Sequence, residues 1–168
     1  MKISDKNFFR RDVLHVAPEL VGKVLVRHTP EGDIRLRITE TEAYRGEEDT
    51  ACHAHKGRTK RTETLYMDGG TVYVYLCYGI HWMLNVVTGI EEQPQAVLIR
   101  ACEAANGPGK LTKALQIDKS FNALEICCCS ELWLEDDGFI AEIKTAPRVG
   151  IGYASPEDIS RPWRFIAV

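Results

Sequence analysis

Apolar and polar residues alternate along much of this chain with a period of two, the mark of strands that bury one face. The clearest run begins at Ile34, where Ile34, Leu36 and Ile38 alternate with Arg35, Arg37 and Thr39. Continued, that parity carries Glu40, Glu42 and Tyr44 onto the same core-facing side. Two carboxylates and a phenol in such a row suit a reactive site, and a strand that has run past the core edge into solvent accounts for them equally well. Residues 23–28 predict an earlier strand, joined to this one by a turn at Pro30 to Asp33. Residues 71–78 and 81–88 are aromatic and β-branched and predict a hairpin across Gly79-Ile80. In it Tyr73 and Tyr75 share one face, and Tyr78 stands on the other, at the tip.

Residues 96–102 predict a further strand, and 131–135 with 140–144 a second hairpin around Asp136-Asp137-Gly138. Residues 148–153 and 163–168 read as closing strands. Helical pattern is confined to residues 12–21, with Asp12 as N-cap, Gly22 as stop and Pro18 inside, and to 110–115 after Gly107-Pro108-Gly109. Between them, residues 46–61 are polar and irregular, as in a binding loop. The expectation from these elements is an α+β domain dominated by antiparallel sheet.

The length of 168 residues suits one domain with a real core. No apolar run reaches membrane-spanning length, and residues 1–11 are too polar for a signal peptide. A cytoplasmic protein is expected, nuclear in a eukaryote. The six cysteines form no C-x-x-C pair, and three of them, Cys127 to Cys129, are adjacent, so reduced thiols are expected. Cys52, His53 and His55 are ligand types for zinc, but no second paired cluster joins them, and no metal is expected. The formal net charge of −3 argues weakly against nucleic acid, though distribution matters more than the sum. Lys56, Arg58, Lys60 and Arg61 form a basic strip that would serve a phosphate backbone or simply a solvated loop.

Hydrolysis of a glycosidic bond needs a carboxylate to take a proton from water and to face an oxocarbenium-like sugar. Glu42 on an inward face suits that role. A base in a duplex must be extruded before it can be attacked, and is then held by stacking. Tyr44 shares the face of Glu42, Tyr75 would supply an opposite wall, and Tyr78 at a hairpin tip would wedge into the helix. Each tyrosine alone serves equally as strand filler. Gly107-Pro108-Gly109-Lys110 fails as a P-loop, because Ala104 and Leu111 replace its first glycine and its Ser or Thr. His53-Ala54-His55 and Cys127-Cys128-Cys129 fail the H-x-E and P-C-x-x-C of zinc deaminases.

Glu40-Thr41-Glu42-Ala43-Tyr44, the His53 that follows, and Tyr73-Val74-Tyr75-Leu76-Cys77-Tyr78-Gly79 together resemble the alkyladenine (3-methyladenine) DNA glycosylase family. Asn85-Val86-Val87, Val97 to Ala101, Gly107 to Leu111, Arg148 to Gly152 and Pro162 to Phe165 extend the likeness in the family's order. The resemblance implies a compact single domain with a curved antiparallel sheet or partial barrel, short helices and a protruding hairpin, and a metal-free, monofunctional hydrolase of alkylated purines flipped from double-stranded DNA; no cofactor and a monomer are expected. It implies Glu42 as general base, Arg100 and the Val149 carbonyl near the water, and Tyr44 and Tyr75 as the sandwich around the base. His53 would contact the base, Asn85 would exclude normal purines, and Tyr78 would fill the vacated stack. DNA contacts are expected from Lys56, Arg58, Lys60, Arg61 and Lys110.

The chain departs from the family pattern between Glu103 and Gly107, where only three residues stand in place of a longer basic insert. His81 occupies a position that is often aromatic, and Met67-Asp68-Gly69-Gly70 lacks the usual prolines. A nucleic-acid-binding module without turnover, a hydrolase of free nucleosides and a metal-dependent hydrolase are the competing readings.

Overall fold

A computed structural model describes the whole of Met1–Val168. Eight strands form one curled antiparallel sheet: β1 (Val24–Thr29), β2 (Gly32–Arg45), β3 (Val72–Cys77), β4 (His81–Thr88), β5 (Gln95–Cys102), β6 (Leu132–Glu135), β7 (Ile143–Ala146) and β8 (Arg164–Ala167). Their order is β3-β4-β5-β2-β1-β6, with β8 added to β2 and β7 to β8. Three short helices accompany them: α1 (Val13–Leu20), α2 (Pro108–Ala114) and α3 (Pro156–Ser160). The α+β architecture dominated by antiparallel sheet is the one the alternation predicts, and its curvature is the one the family resemblance implies. No helix is long and apolar enough to cross a membrane.

Asp12 caps α1 by accepting from the Leu14 amide, and the helix lays Val13, Val16, Ala17 and Leu20 against the sheet. Together with Leu25, Ile38, Leu84, Val86, Val97 and Ile99 they form the main core. The sheet's other face carries a second cluster of Cys52, Ala54, Leu65, Tyr66, Tyr73, Val87 and Ala96. Strict alternation therefore divides the strands between two interiors: Val72 and Val74 enter the main core, while Tyr73 and Tyr75 enter the other.

The long strand β2 does not keep one parity. Its pairing with β5 is irregular between Ile38 and Thr41, and residues 38 and 41, three apart, both face the main core. Ile38 belongs to that core, and the Thr41 hydroxyl donates to the Ala17 carbonyl of α1 at 2.7 Å. On β5, Ile99 and Cys102 show the same three-residue spacing. The expectation that Glu42 and Tyr44 continue the core-facing row is thus corrected. Beyond the irregularity the odd residues Thr41 and Ala43 take the core, and Glu42 and Tyr44 turn to the opposite face.

Two further expectations are corrected. Strands β6 and β7 are not a hairpin: β6 completes the free edge of β1, and β7 pairs with β8. Each half satisfies a larger sheet's open backbone groups instead of its neighbour's. Residues 148–153 are not a strand, because Arg148 turns inward and Gly150 adopts φ 74°. The helix α3, N-capped by Ser155, lies where the sequence pattern predicts no helix.

Candidate active site

One cross-strand row assembles the site. Tyr73 on β3 lies opposite Asn85 on β4, Asn85 opposite Leu98 on β5, Leu98 opposite Glu42 on β2, and Glu42 opposite Arg164 on β8. Facing residues in a ladder lie on the same side of a sheet, so pairing alone brings these five positions together. Adjacent positions on that face add Tyr44, Tyr75 and Arg100.

Glu42 is fully buried. Its Oε1 accepts from the Tyr44 hydroxyl at 3.0 Å and from Arg100 Nη1 at 3.3 Å, and its Oε2 accepts from the Val149 amide at 2.7 Å. Burial raises its pKa above the ordinary carboxylate value, against the opposing pull of Arg100, the Val149 amide and the Tyr44 hydroxyl. A base made stronger by burial and still held by three donors is poised to take a proton.

Beside it lies a pocket lined by Tyr44, Cys52, His53, Leu65, Tyr73, Tyr75, Asn85, Ala96 and Tyr153, enclosing about 40 Å³. It opens into a groove of about 770 Å³ bordered by Arg61, Tyr78, His81, Arg100, Lys110 and Val149. The His53 ring meets Tyr75 edge-on at 4.5 Å, and its Nδ1 shares a hydrogen bond of 3.0 Å with the Tyr73 hydroxyl. Burial, with Arg61 nearby, lowers the His53 pKa to about 4, so its imidazole is neutral at physiological pH. Asn85 is anchored through its amide nitrogen to the Tyr73 and Met83 carbonyls, at 3.2 and 3.4 Å.

Behind Tyr44 sits a pair that the sequence did not announce. Arg148 and Asp49 are both fully buried and joined by bonds of 2.6 and 3.0 Å. The Arg148 guanidinium also donates to the Ala43 carbonyl and lies 4.9 Å from the Tyr44 ring and 5.0 Å from that of Trp163. It therefore backs the pocket wall and fixes the chain beside Val149. Tyr73 and Tyr153 are pocket residues that sequence reasoning missed. The face shared by Tyr73 and Tyr75 signals the first, while nothing local signals the second.

Of the basic residues in the loop strip and at the start of α2, Arg61 and Lys110 border the groove, and Lys56 and Lys60 are exposed on the loop without bordering it. Arg58 is engaged elsewhere, with Glu63 at 2.7 Å and with Glu92, over the Tyr66 ring. Tyr78 projects from the tip of the β3–β4 hairpin, 88% exposed, and its loop spans Tyr78 to Ile80, one residue longer than the junction predicted. Both Tyr78 (φ 52°) and Gly79 (φ 66°) have left-handed backbones. A bulky residue rarely adopts that conformation without a compensating use. Opposite the hairpin, α2 approaches so closely that a Cβ on Gly109 would stand 2.7 Å from the His81 ring. Cys52, His53 and His55 do not converge: their side chains reach the Pro94 carbonyl, the Tyr73 hydroxyl and the Glu47 carbonyl respectively.

The class this arrangement defines is an enzyme that receives a flat, conjugated group in an aromatic pocket beside a buried carboxylate. Comparison with known sequences gives the family. The methylpurine-DNA glycosylase model matches residues 7–105 and 103–168. A protein of Methanocella arvoryzae is 43% identical over 185 aligned positions, covering 98% of this chain and 92% of its own. A relative from Psychrobacter cryohalolentis is 46% identical, covering 88% and 84%, and one from Borrelia garinii subsp. bavariensis is 44% identical, covering 96% and 94%. All three bear 3-methyladenine DNA glycosylase in their names. The chain belongs to the methylpurine-DNA glycosylase family.

The family match comes in two pieces that overlap at residues 103–105, within the segment where the resemblance leads one to expect a longer insert. Here β5 ends in a tight turn closed by paired bonds between Cys102 and Ala105, with Ala104 at φ 63°. The alignment with the Methanocella relative is longer than this chain's 168 residues, so that relative carries residues without counterpart here.

Proposed function

We propose that this protein, acting as a monomeric single-domain enzyme, hydrolyses the N-glycosidic bond of alkylated purines extruded from double-stranded DNA, leaving an abasic site. The observation that carries the reading is Glu42, buried, raised in pKa and held by three donors at the side of an aromatic pocket. The protein fills three of the carboxylate's four acceptor positions. The fourth, on Oε2, is where an attacking water hands over its proton.

Tyr78 enters the duplex and the damaged base passes through the groove to lie between Tyr44 and Tyr75. Alkylation makes the purine cationic, and a cation is held by aromatic faces. The neutral His53 adds no repulsion there and contacts the base, while the fixed amide of Asn85 restricts which purine edges fit. Water oxygen bonds to the anomeric carbon and its proton passes to Glu42. The carbon–nitrogen bond breaks with its electron pair going to the purine, which leaves neutral. Arg100, on the groove side, steadies the water or a nearby phosphate, and the Val149 carbonyl faces the same water. Arg61 and Lys110 meet phosphates along the groove, with Lys56 and Lys60 further out. No cofactor takes part in this chemistry. The enzyme works where the DNA is, in the cytoplasm of a prokaryote or the nucleus of a eukaryote.

The test is base release from duplex oligonucleotides, each bearing one 3-methyladenine, 7-methylguanine, hypoxanthine or etheno-adenine. Wild type should release at least one of these bases, and Glu42→Gln should bind the same duplex and release none. Release undiminished in Glu42→Gln would overturn the assignment, and turnover of free nucleosides without DNA would favour a small-molecule hydrolase.

A further inference from the structure

Two carboxylates, not one, lie within reach of Arg100. Its Nε is 3.2 Å from Glu40 Oε2, while its Nη1 is 3.3 Å from Glu42 Oε1. Glu40 is drawn the other way as well, by Arg164 Nη1 at 3.2 Å, and Arg164 is itself anchored through Nε to the Pro147 carbonyl at 2.8 Å. The four side chains form an alternating row of charges from β8 to the floor of the site: Arg164, Glu40, Arg100, Glu42.

Arg100 and the neighbouring Arg148 meet their carboxylates differently. Arg148 forks onto Asp49 with bonds of 2.6 and 3.0 Å, the geometry that planar guanidinium and carboxylate groups favour. Arg100 instead gives Glu42 one long hydrogen bond and holds its Nε at ion-pair distance from Glu40, without forking onto either carboxylate. A full fork on Glu42 would occupy both oxygens in a strong ion pair and leave a poor proton acceptor.

We propose that Glu40 is a positioning residue that splits the guanidinium of Arg100 and so keeps Glu42 basic. The inference rests on Glu42 being the general base of the proposed reaction. The charged and titratable neighbours of Glu42 support it element by element. From β2 come Tyr44 and Glu40, from β5 Arg100, from β8 Arg164 by way of Glu40, and from the 148–153 segment the Val149 amide and Tyr153. Arg148 is spent on Asp49. Arg100 is therefore the cation that governs Glu42, and Glu40 competes for it. Burial is the main cause of the raised Glu42 pKa, and the like charge of Glu40 acts in the same direction.

The decisive measurement is the pH dependence of single-turnover base release from a duplex bearing one lesion that wild type removes, compared among wild type, Glu40→Gln and Arg164→Gln. Glu40→Gln removes the competing charge, so the acid limb should move down by about one pH unit, with a plateau roughly three- to tenfold lower. Arg164→Gln leaves Glu40 to hold Arg100 more fully, so the acid limb should move the other way. A residue serving only the fold would slow both variants without moving either limb in opposite senses. Limbs that coincide with wild type, or shift together, overturn the proposal. Thermal unfolding checks that each variant folds; if Glu40→Gln does not, the sign of the Arg164→Gln shift decides alone. Loss of Glu42-dependent release in wild type would instead sink the functional reading beneath it.

Discussion

The Val149 amide and the Glu42 carboxylate, 107 residues apart, are joined by a hydrogen bond of 2.7 Å. The bond depends on where residue 149 is held, and that is set by its neighbour Arg148, locked on Asp49 in the interior. Removing one partner of a buried pair strands the other charge. Asp49→Ala should therefore cost about 3–5 kcal/mol of stability in urea unfolding. Base release should slow further than the lost stability explains, as Tyr44 loses its backing and Val149 its anchor.

Glu42 illustrates the conflict between reactivity and stability. Its pKa is raised in the folded state by burial, so the charged form opposes folding above the ordinary carboxylate range, and protonation relieves that opposition as pH falls. Glu42→Gln removes the charge at nearly constant shape. Its melting temperature at pH 7 should rise, by about 2–4 °C per kcal/mol recovered, while base release falls by at least about 10²-fold. A variant both inactive and less stable would contradict this account.

His53 has the opposite linkage. Its folded pKa is depressed to about 4 from 6.5, so the unfolded chain binds the extra proton first. Stability should fall as pH drops from about 6.5 towards about 4, and His53→Gln should flatten that decline in denaturation curves recorded across the interval. An unchanged acid slope in the variant would remove His53 from the explanation.

Tyr78 carries a side chain on a left-handed backbone with most of its surface in water. Tyr78→Gly should leave stability unchanged or raise it by up to about 1 kcal/mol, because glycine occupies that conformation freely. Release from fully paired duplex should nonetheless drop by about tenfold or more, and release from a lesion opposite a gap far less, because only the paired lesion must be unstacked. Equal losses on both substrates would mean that Tyr78 does not fill the stack.

Salt titrations of duplex binding separate the basic residues. Arg61→Ala and Lys110→Ala should each lower the slope of log affinity against log salt by about one. Arg58→Ala should leave it nearly unchanged, since that side chain is neutralised by Glu63 and Glu92.

Much of this is legible in the sequence because strand alternation is a local property. Tyr73 and Tyr75 share a face whatever the rest of the chain does, and so the pocket wall can be read from a few consecutive residues. The neutralisation of Arg58 cannot be read in the same way, because Glu92 lies 34 residues on. Nor can Asp49 and Arg148 be paired, as they meet only when the loop after β2 and the segment after β7 close on each other. The pairing of β6 with β1 likewise reflects which edges remain open once the sheet is built. Parity correctly makes Glu42 and Tyr44 neighbours on one face, but assigns that face to the wrong interior. The error comes from extending Ile34, Leu36 and Ile38 through a place where two strands jointly break step.

That break gives β2 something like a reading frame for side chains. Upstream, Ile38 must meet the core, and downstream Glu42 must meet the pocket; with one residue fewer between Ile38 and Thr41, both demands cannot hold at once. Substitutions in this stretch alter one contact each, whereas a deletion would trade the interiors of every residue on one side of it. The chain would keep all its reactive groups and point them into the wrong half of the molecule.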